Sequence, residues 1–325
     1  MTQNPNVPLI HTVSVVTLSV DDLSVQYQSQ GKKVHAVDHI SFSFSEGESL
    51  GIAGESGCGK STLGLAIMKT LQENASVSGK ILFDDISILE TSDSEFTKDI
   101  RWKQVSMIFQ GAMNSLDPVF TIKKQFMEIL QKHNFQGDHV QTIESAISSV
   151  GLSHSVLDKY PHEISGGMKQ RVVIAMALIL KPKMVIADEP TTALDVLVQA
   201  QIMILLKKLK KDGLSIILIS HDLGIISEIA EKVGIMYAGQ IVEFGNMEEI
   251  YKNPKHPYTV ALLDSIPKLQ ETKKITPLKG NPPSLVNPPS GCRFYDRCPQ
   301  AMDKCKQDPP KIKTASGFVM CWLHE

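Results

Sequence analysis

Residues 54–61 read Gly54-Glu55-Ser56-Gly57-Cys58-Gly59-Lys60-Ser61. This fits G-x-x-x-x-G-K-[ST], the phosphate-binding P-loop. The apolar run Ser49–Ala53 before it reads as a strand, and Thr62–Thr70 after it as a helix. A loop between strand and helix is the context this motif needs. Gly54, Gly57 and Gly59 let the backbone wrap closely around phosphate oxygens, so that successive N–H groups point inward. Ser56, Cys58 and Thr62 complete the lining, with Cys58 read as a passive small residue. The helix start adds unpaired N–H groups and its positive dipole end. Lys60 is placed to reach β- and γ-phosphates, and the Ser61 hydroxyl to sit on Mg²⁺.

Composition bounds what else the chain can be. It has 325 residues, 42% of them hydrophobic, and a net charge of −2 at pH 7. That length suggests one large domain or two ordinary ones. The charge gives no basic excess of the kind that advertises nucleic acid or an anionic membrane. Apolar runs such as Ile174–Leu180 fall far short of the ~20 residues of a membrane span. The first Lys or Arg is Lys32, so no charged leader segment is read at the N-terminus. A soluble cytosolic protein is expected, serving a membrane only through a partner.

Outward from the loop, residues 13–27 alternate with apolar Leu18, Val20, Leu23, Val25 and Tyr27, which predicts a strand or hairpin. Val105–Phe109, Met184–Ala187 and Ser215–Ser220 read as buried strands of a largely parallel sheet. Residues 121–181 are mostly helical in pattern, and Val196–Leu209 is another helix. The character then changes: 11 of 17 prolines lie between Pro254 and Pro310, and four of five cysteines follow residue 290. Proline lacks a backbone donor and blocks helix continuation, so this tail should be extended and loop-rich.

Two further segments sharpen the chemistry. The apolar run Met184–Ala187 delivers Asp188 and Glu189. Asp188 is placed to hold Mg²⁺ and Glu189 to polarise an attacking water. Ile164-Ser165-Gly166-Gly167-Met168-Lys169-Gln170 precedes a helical run. Ser165 is a good N-cap, and the two glycines leave helix N–H groups open to an anion.

With these three elements together the chain resembles the ATP-binding-cassette (ABC) ATPases, whose signature is Leu-Ser-Gly-Gly-Gln. It departs with Ile164 for Leu and Met168 for Gln; Met in that place is usual in the peptide-transporter branch. The resemblance implies an α/β fold: a P-loop ABC-type nucleotide-binding domain with a RecA-like sheet core and a helical subdomain. It also implies roles residue by residue. Gln110 matches the glutamine that touches Mg²⁺ and relays nucleotide state, Asp195 the D-loop, and His221 the switch histidine at the γ-phosphate. Tyr27 matches the aromatic that stacks on adenine. Two such domains meet head to tail in the family, so Ser165, Gly166 and Gly167 act on the partner's ATP.

Tyr160–Gly167, Asn253–Thr259 and Asn287–Phe294 are similar to segments of oligopeptide and dipeptide importer ATPases. The resemblance implies an ATP-hydrolysing subunit that energises import of peptides or similar small solutes by alternating access. Its implied partners are a second ATPase subunit (a distinct paralogue), two membrane permease subunits and an external solute-binding protein, with no nucleic acid. Its implied place is the cytoplasmic face of the membrane. The competing reading is a soluble, non-transport ABC ATPase acting on nucleic acid or ribosomes. That reading calls for inserted zinc modules, coiled-coil arms or two cassettes in one chain, and the sequence has none.

The expected division is an ATPase domain over 1–262, with its helical subdomain roughly over 113–180, and a Pro/Cys-rich extension over 263–325. Cys292, Cys298, Cys305 and Cys321 are separated by 5, 6 and 15 residues. There is no C-x₂-C pair of the zinc-ribbon kind, and disulfides do not suit a cytosolic chain. Four thiolates are the usual complement of an iron–sulfur cluster. Structural zinc and no metal are the alternatives. The family resemblance implies a [4Fe–4S] cluster on these four cysteines. The ATP site, lying within 27–221, is expected to be indifferent to the state of this tail.

Overall fold

Short, fully apolar strands belong in the middle of a sheet covered on both faces, and the register of that sheet decides where the motifs end. The structure is a computed structural model that describes residues 16–111, 114–265 and 280–325. Residues 13–15 of the expected first strand, Met113 at the start of the expected helical subdomain, and 266–279 of the proline-rich tail lie outside the described residues.

The main sheet contains β3 (Ser49–Ala53), β6 (Val105–Ile108), β7 (Met184–Asp188), β8 (Ser215–Ser220), β9 (Lys232–Tyr237), β10 (Gln240–Asn246), β11 (Lys311–Lys313) and β12 (Phe318–Met320). Their order is β6-β7-β8-β3-β9-β10-β12-β11. From β6 to β9 the pairing is parallel, and the last three strands add antiparallel. Along β8, Ile216 and Leu218 enter the core on one face while Ile217 and Ile219 enter the core on the other. That two-sided burial is why these strands read as continuous apolar runs.

The alternating N-terminal segment forms the hairpin β1 (Val16–Ser29) and β2 (Lys32–Ser45). Its turn residues Gln30 and Gly31 have φ of 48° and 75°, the left-handed pair that a tight hairpin requires. With β4 (Ala75–Phe83) and β5 (Ile86–Ser87) it makes a second, antiparallel sheet of order β2-β1-β4-β5. One core cluster lies between the two sheets and takes in Leu63, Ala66 and Ile67 of α1 (Lys60–Ile67).

A short helix α2 (Asp93–Glu95), closed by a Ser92–Glu95 capping box, leads toward β6. The predicted helical region holds α3 (Ile122–Lys132), α4 (His139–Ser149) and α5 (Gly166–Leu178). Residues Val172 to Ala177 of α5 are consecutively buried, so α5 is apolar all round and runs through the interior. α6 (Val196–Lys211) follows β7, α7 (Leu223–Ser227) follows β8, and α8 (Met247–Lys252) and α9 (Pro257–Asp264) follow β10. Among the described residues no helix is long and apolar enough to cross a membrane.

The tail joins the sheet, with Phe318 and Val319 of β12 pairing with Phe244 and Glu243 of β10. Phe294 is 1% exposed and packs on Tyr237 and Tyr258 at ring-centroid distances of 5.2 and 5.4 Å. The tail has little core of its own, as its composition suggests, and completes the core of the ATPase instead.

Candidate functional site

Parallel register places the functional residues side by side. Ala53 pairs with Ser220, Ile219 with Asp188, and Ala187 with Ile108. Four strands therefore end at one edge, delivering the 54–62 loop, Asp188-Glu189, His221 and Gln110. The expected strand 105–109 stops at Ile108, which leaves Phe109 and Gln110 exposed at that edge. The strand into the carboxylates runs one residue further than expected and includes Asp188.

The loop's geometry depends on glycine at three positions, and at Gly54 a Cβ would sit 2.1 Å from the Met236 carbonyl oxygen. Gly57 and Gly59 have φ of 79° and 105°. A Cβ on Gly59 would sit 2.0 Å from the Ala36 carbonyl oxygen, whereas one on Gly57 would meet nothing. Gly57 is thus required by conformation alone, and Gly59 by conformation and space. The helix starts inside the motif, at Lys60, two residues before the expected Thr62. The buried Lys60 ammonium donates to the carbonyls of Gly54 and Glu55 at 2.7 and 2.9 Å. Cys58 is 4% exposed and packs inward, consistent with a passive side chain.

Asp188 is 2% exposed, and its Oδ1 has no hydrogen-bond partner among the described residues. Burial raises its carboxyl above the ordinary value, against an opposing hydrogen bond from Ser61. A buried, half-unpartnered carboxylate beside a hydroxyl is the donor set of a hard divalent cation, so these residues fit Mg²⁺.

Glu189 sits at φ 46°, a left-handed backbone that a non-glycine residue holds only when its surroundings enforce it. Its N–H donates to the Ile219 carbonyl at 2.9 Å. Its two carboxylate oxygens are engaged separately, by the Thr192 hydroxyl at 2.7 Å and by His221 Nδ1 at 3.0 Å. Burial pushes the Glu189 carboxyl up, but the Thr192 and His221 hydrogen bonds outweigh it and hold it below the usual value. It therefore stays ionised and able to accept a proton. Thr192 carries no motif in a sequence reading; its role comes from a turn that folds it back onto Glu189.

The signature turn faces elsewhere. Ser165 caps α5, accepting from Met168 N–H at 3.3 Å, and with Gly166 it is exposed. A Cβ on Gly167 would meet Val198 of α6 at 2.7 Å. No hydrogen bond among the described residues joins this turn to the 54–62 loop. Asp195 caps α6 by accepting from Val198 N–H at 3.0 Å, and the next two residues, Val196 and Leu197, are 82% and 71% exposed. Tyr27 lies on β1, paired with Val34 and Ala75, and is half-buried against the intersheet core.

The four tail cysteines come together. Cys292, Cys298, Cys305 and Cys321 line one small cavity with His256, Phe294, Tyr295 and Trp322. Burial pushes the Cys292 thiol up to about 11 and raises Cys298 and Cys321 as well. His256 is held neutral by burial, pushed down to about 3, and its Nδ1 accepts from Tyr258 N–H at 3.0 Å. Among the described residues no three His, Cys, Asp or Glu side chains converge closely enough to hold a single ion.

The tail also touches the 54–62 loop. Arg297, between Cys292 and Cys298, forms an ion pair with Glu55 of the loop at 2.7 Å. This contact, with Phe294 in the ATPase core, contradicts the separate core on which the ATP site's expected indifference to the tail rested. Sequence spacing carries no sign of it, because the partners are more than 240 residues apart.

Known proteins agree with this picture. The ABC transporter family matches residues 37–192, and the oligopeptide/dipeptide transporter C-terminal region matches 242–305. The oligopeptide transport ATP-binding protein OppD of Escherichia coli is 43% identical, covering 97% of this chain and 95% of its own. The dipeptide transport ATP-binding protein DppD of Bacillus subtilis is also 43% identical, covering 95% of each chain. Among solved structures, a dimeric ATP-binding cassette in a post-hydrolysis state bound to ADP and Pi superposes with a TM-score of 0.63. It is 27% identical, covering 71% of this chain and 98% of that one. An ABC transporter component from Clostridium perfringens, cbiO1, gives a TM-score of 0.61 at 29% identity, covering 76% and 93%.

Proposed function

Because the chain belongs to the family of ATP-binding subunits of oligopeptide and dipeptide ABC transporters, we propose that it hydrolyses ATP to energise import of di- or oligopeptides. The observation that carries this is the convergence of Lys60, Ser61, Asp188, Glu189 and His221 at one sheet edge, in a chain similar to peptide-transport subunits along nearly its whole length.

The loop N–H groups and Lys60 take the triphosphate, and Tyr27 stacks on adenine. Ser61, Asp188 and Gln110 hold Mg²⁺, which when bound neutralises phosphate charge. Glu189 accepts the proton of the attacking water, oriented by Thr192. His221, on the other carboxylate oxygen, reaches the γ-phosphate and links its presence to Glu189. The exposed Ser165–Gly167 turn completes the site of a second ATPase subunit, a distinct paralogue, and exposed Val196 and Leu197 beside Asp195 suit that interface. ATP then closes the pair and hydrolysis opens it, a ligand-biased two-state change. Two permeases convert this to alternating access, an external binding protein delivers the solute, and the chain sits peripherally on the cytoplasmic face. The functional division remains 1–262 for the ATPase and 263–325 for the extension.

The four cysteines hold a [4Fe–4S] cluster in this reading. Their shared cavity supports a common group on the four thiols, and structural zinc is the alternative. The cluster's part is structural.

The test is reconstitution with the permeases in lipid. Peptide-loaded binding protein should stimulate ATP hydrolysis and drive peptide uptake. ATP turnover indifferent to any peptide, or stimulated by nucleic acid, would overturn the import reading.

A further inference from the structure

Two arginines four residues apart, Arg293 and Arg297, lie between Cys292 and Cys298. Arg297 donates through Nη1 and Nη2 to the two oxygens of Glu55 at 2.7 and 2.8 Å, and through Nη1 to the Tyr237 hydroxyl at 3.2 Å. Its side chain is 5% exposed. The Glu55 N–H donates to the Tyr258 hydroxyl at 2.9 Å. The Glu55 carbonyl accepts from the Lys60 ammonium at 2.9 Å and from Cys58 N–H at 3.3 Å. One loop residue is therefore gripped from outside at its N–H and its carboxylate, while its carbonyl positions the lysine that meets phosphate.

Arg293 works one step further out. It donates to the Ala238 carbonyl and pairs with the Asp38 carboxylate. The next residue, Gly239, donates its N–H to the Cys58 carbonyl at 2.9 Å, and its carbonyl accepts from Asp38 N–H at 2.9 Å. Both arginines thus lead to the 55–58 segment, Arg297 directly through the Glu55 carboxylate and Arg293 through the 238–239 turn.

We propose that the Cys292–Cys298 turn braces the phosphate loop, with Arg297 as a positioning residue that sets nucleotide affinity through Glu55. The proposal rests on the reading of residues 54–62 as the ATP site. A bidentate guanidinium–carboxylate pair fixes orientation as well as distance, which a lysine cannot do. Without Arg297, Glu55 becomes an uncompensated carboxylate beside the binding place of a highly charged triphosphate. The loop then samples orientations in which its N–H groups and Lys60 no longer converge. The brace also gives the Cys292–Cys298 turn a route to the nucleotide, since any event that unfolds the turn withdraws both arginines.

The experiment uses the full chain in the assembled transporter and compares wild type, Arg297→Met, Arg297→Lys, Glu55→Gln and the double variant Glu55→Gln/Arg297→Met. ATP titration and steady-state hydrolysis separate KM from kcat, with Tm and iron content recorded alongside. Arg297→Met should raise the KM for ATP about tenfold, with a smaller change in kcat, and Arg297→Lys should fall between it and wild type. The double variant should be no worse than the worse single one, because the two residues act as a unit. If Arg297→Met misfolds, Glu55→Gln reads the same pair while leaving the arginine in place. An unchanged KM in either single variant would overturn the brace, as would KM and kcat worsening only in step with a lower Tm. Wild-type protein that binds no ATP would instead overturn the ATP-site reading, and the brace with it.

Discussion

Glu189 is the residue at which geometry says most about chemistry. Its left-handed backbone, its hydrogen bonds to Thr192 and His221 and its lowered carboxyl value describe a carboxylate kept ionised and aimed. Glu189→Gln retains the shape and removes the base. Hydrolysis in the assembled complex should fall by about 10²–10⁴-fold with ATP still bound; near wild-type turnover would remove Glu189 from this role. Thr192→Val should cost less, because it frees one carboxylate oxygen without removing the base, and should appear in kcat before KM. Lys60→Ala belongs to a different class: it deletes the cation facing the phosphates, so nucleotide affinity itself should drop, as equilibrium binding would reveal.

At the scale of elements, the loop and the signature helix make opposite demands. The loop is intolerant. Gly59→Ala forces a Cβ against the Ala36 carbonyl at a φ of 105°, a backbone costing about 1–3 kcal/mol before the clash is counted. Nucleotide binding should be lost while Gly57→Ala, strained but unobstructed, retains part of it. The start of α5 is exposed, and among the described residues it makes no hydrogen bond to the loop of its own chain. Replacing Gly166 should therefore leave ATP binding by the isolated chain near normal and impair hydrolysis in the complex. A nucleotide held by Ser165 of the same chain in a closed ATP-bound structure would contradict this.

For the whole molecule, the tail and the ATPase share one interior. Phe294 is fully enclosed by Tyr237 and Tyr258, so Phe294→Ala should cost about 3–5 kcal/mol. It should lower a single thermal transition; two transitions, with only a minor one displaced, would show that the tail folds apart. Replacing any one of Cys292, Cys298, Cys305 and Cys321 by Ser should release iron and expose the tail to protease. Through Arg297 it should weaken ATP binding as well. Iron analysis beside a nucleotide titration reads both effects, and about four iron per chain is expected in the parent protein.

What the sequence determined by itself was local. The P-loop, the apolar strands β3, β6, β7 and β8, and the carboxylate pair were legible because each needs a short run of residue types at fixed spacing. The hairpin and the cap at Ser165 belong with them, since backbone conformation and neighbouring hydrogen bonds impose those choices within a few residues; the cap at Asp195 came only from the structure. Strand ends moved by a residue or two because packing, not propensity, decides where a strand stops. The family resemblance added roles to Gln110, His221 and Tyr27 that their local sequence does not carry. Only the tertiary structure brought His221 to the second oxygen of Glu189 and gathered the four cysteines around one cavity. Only it set Arg297 on Glu55. Those relations join segments up to 242 residues apart, and long-range contacts arise from sheet register and shared burial, which no spacing along the chain encodes.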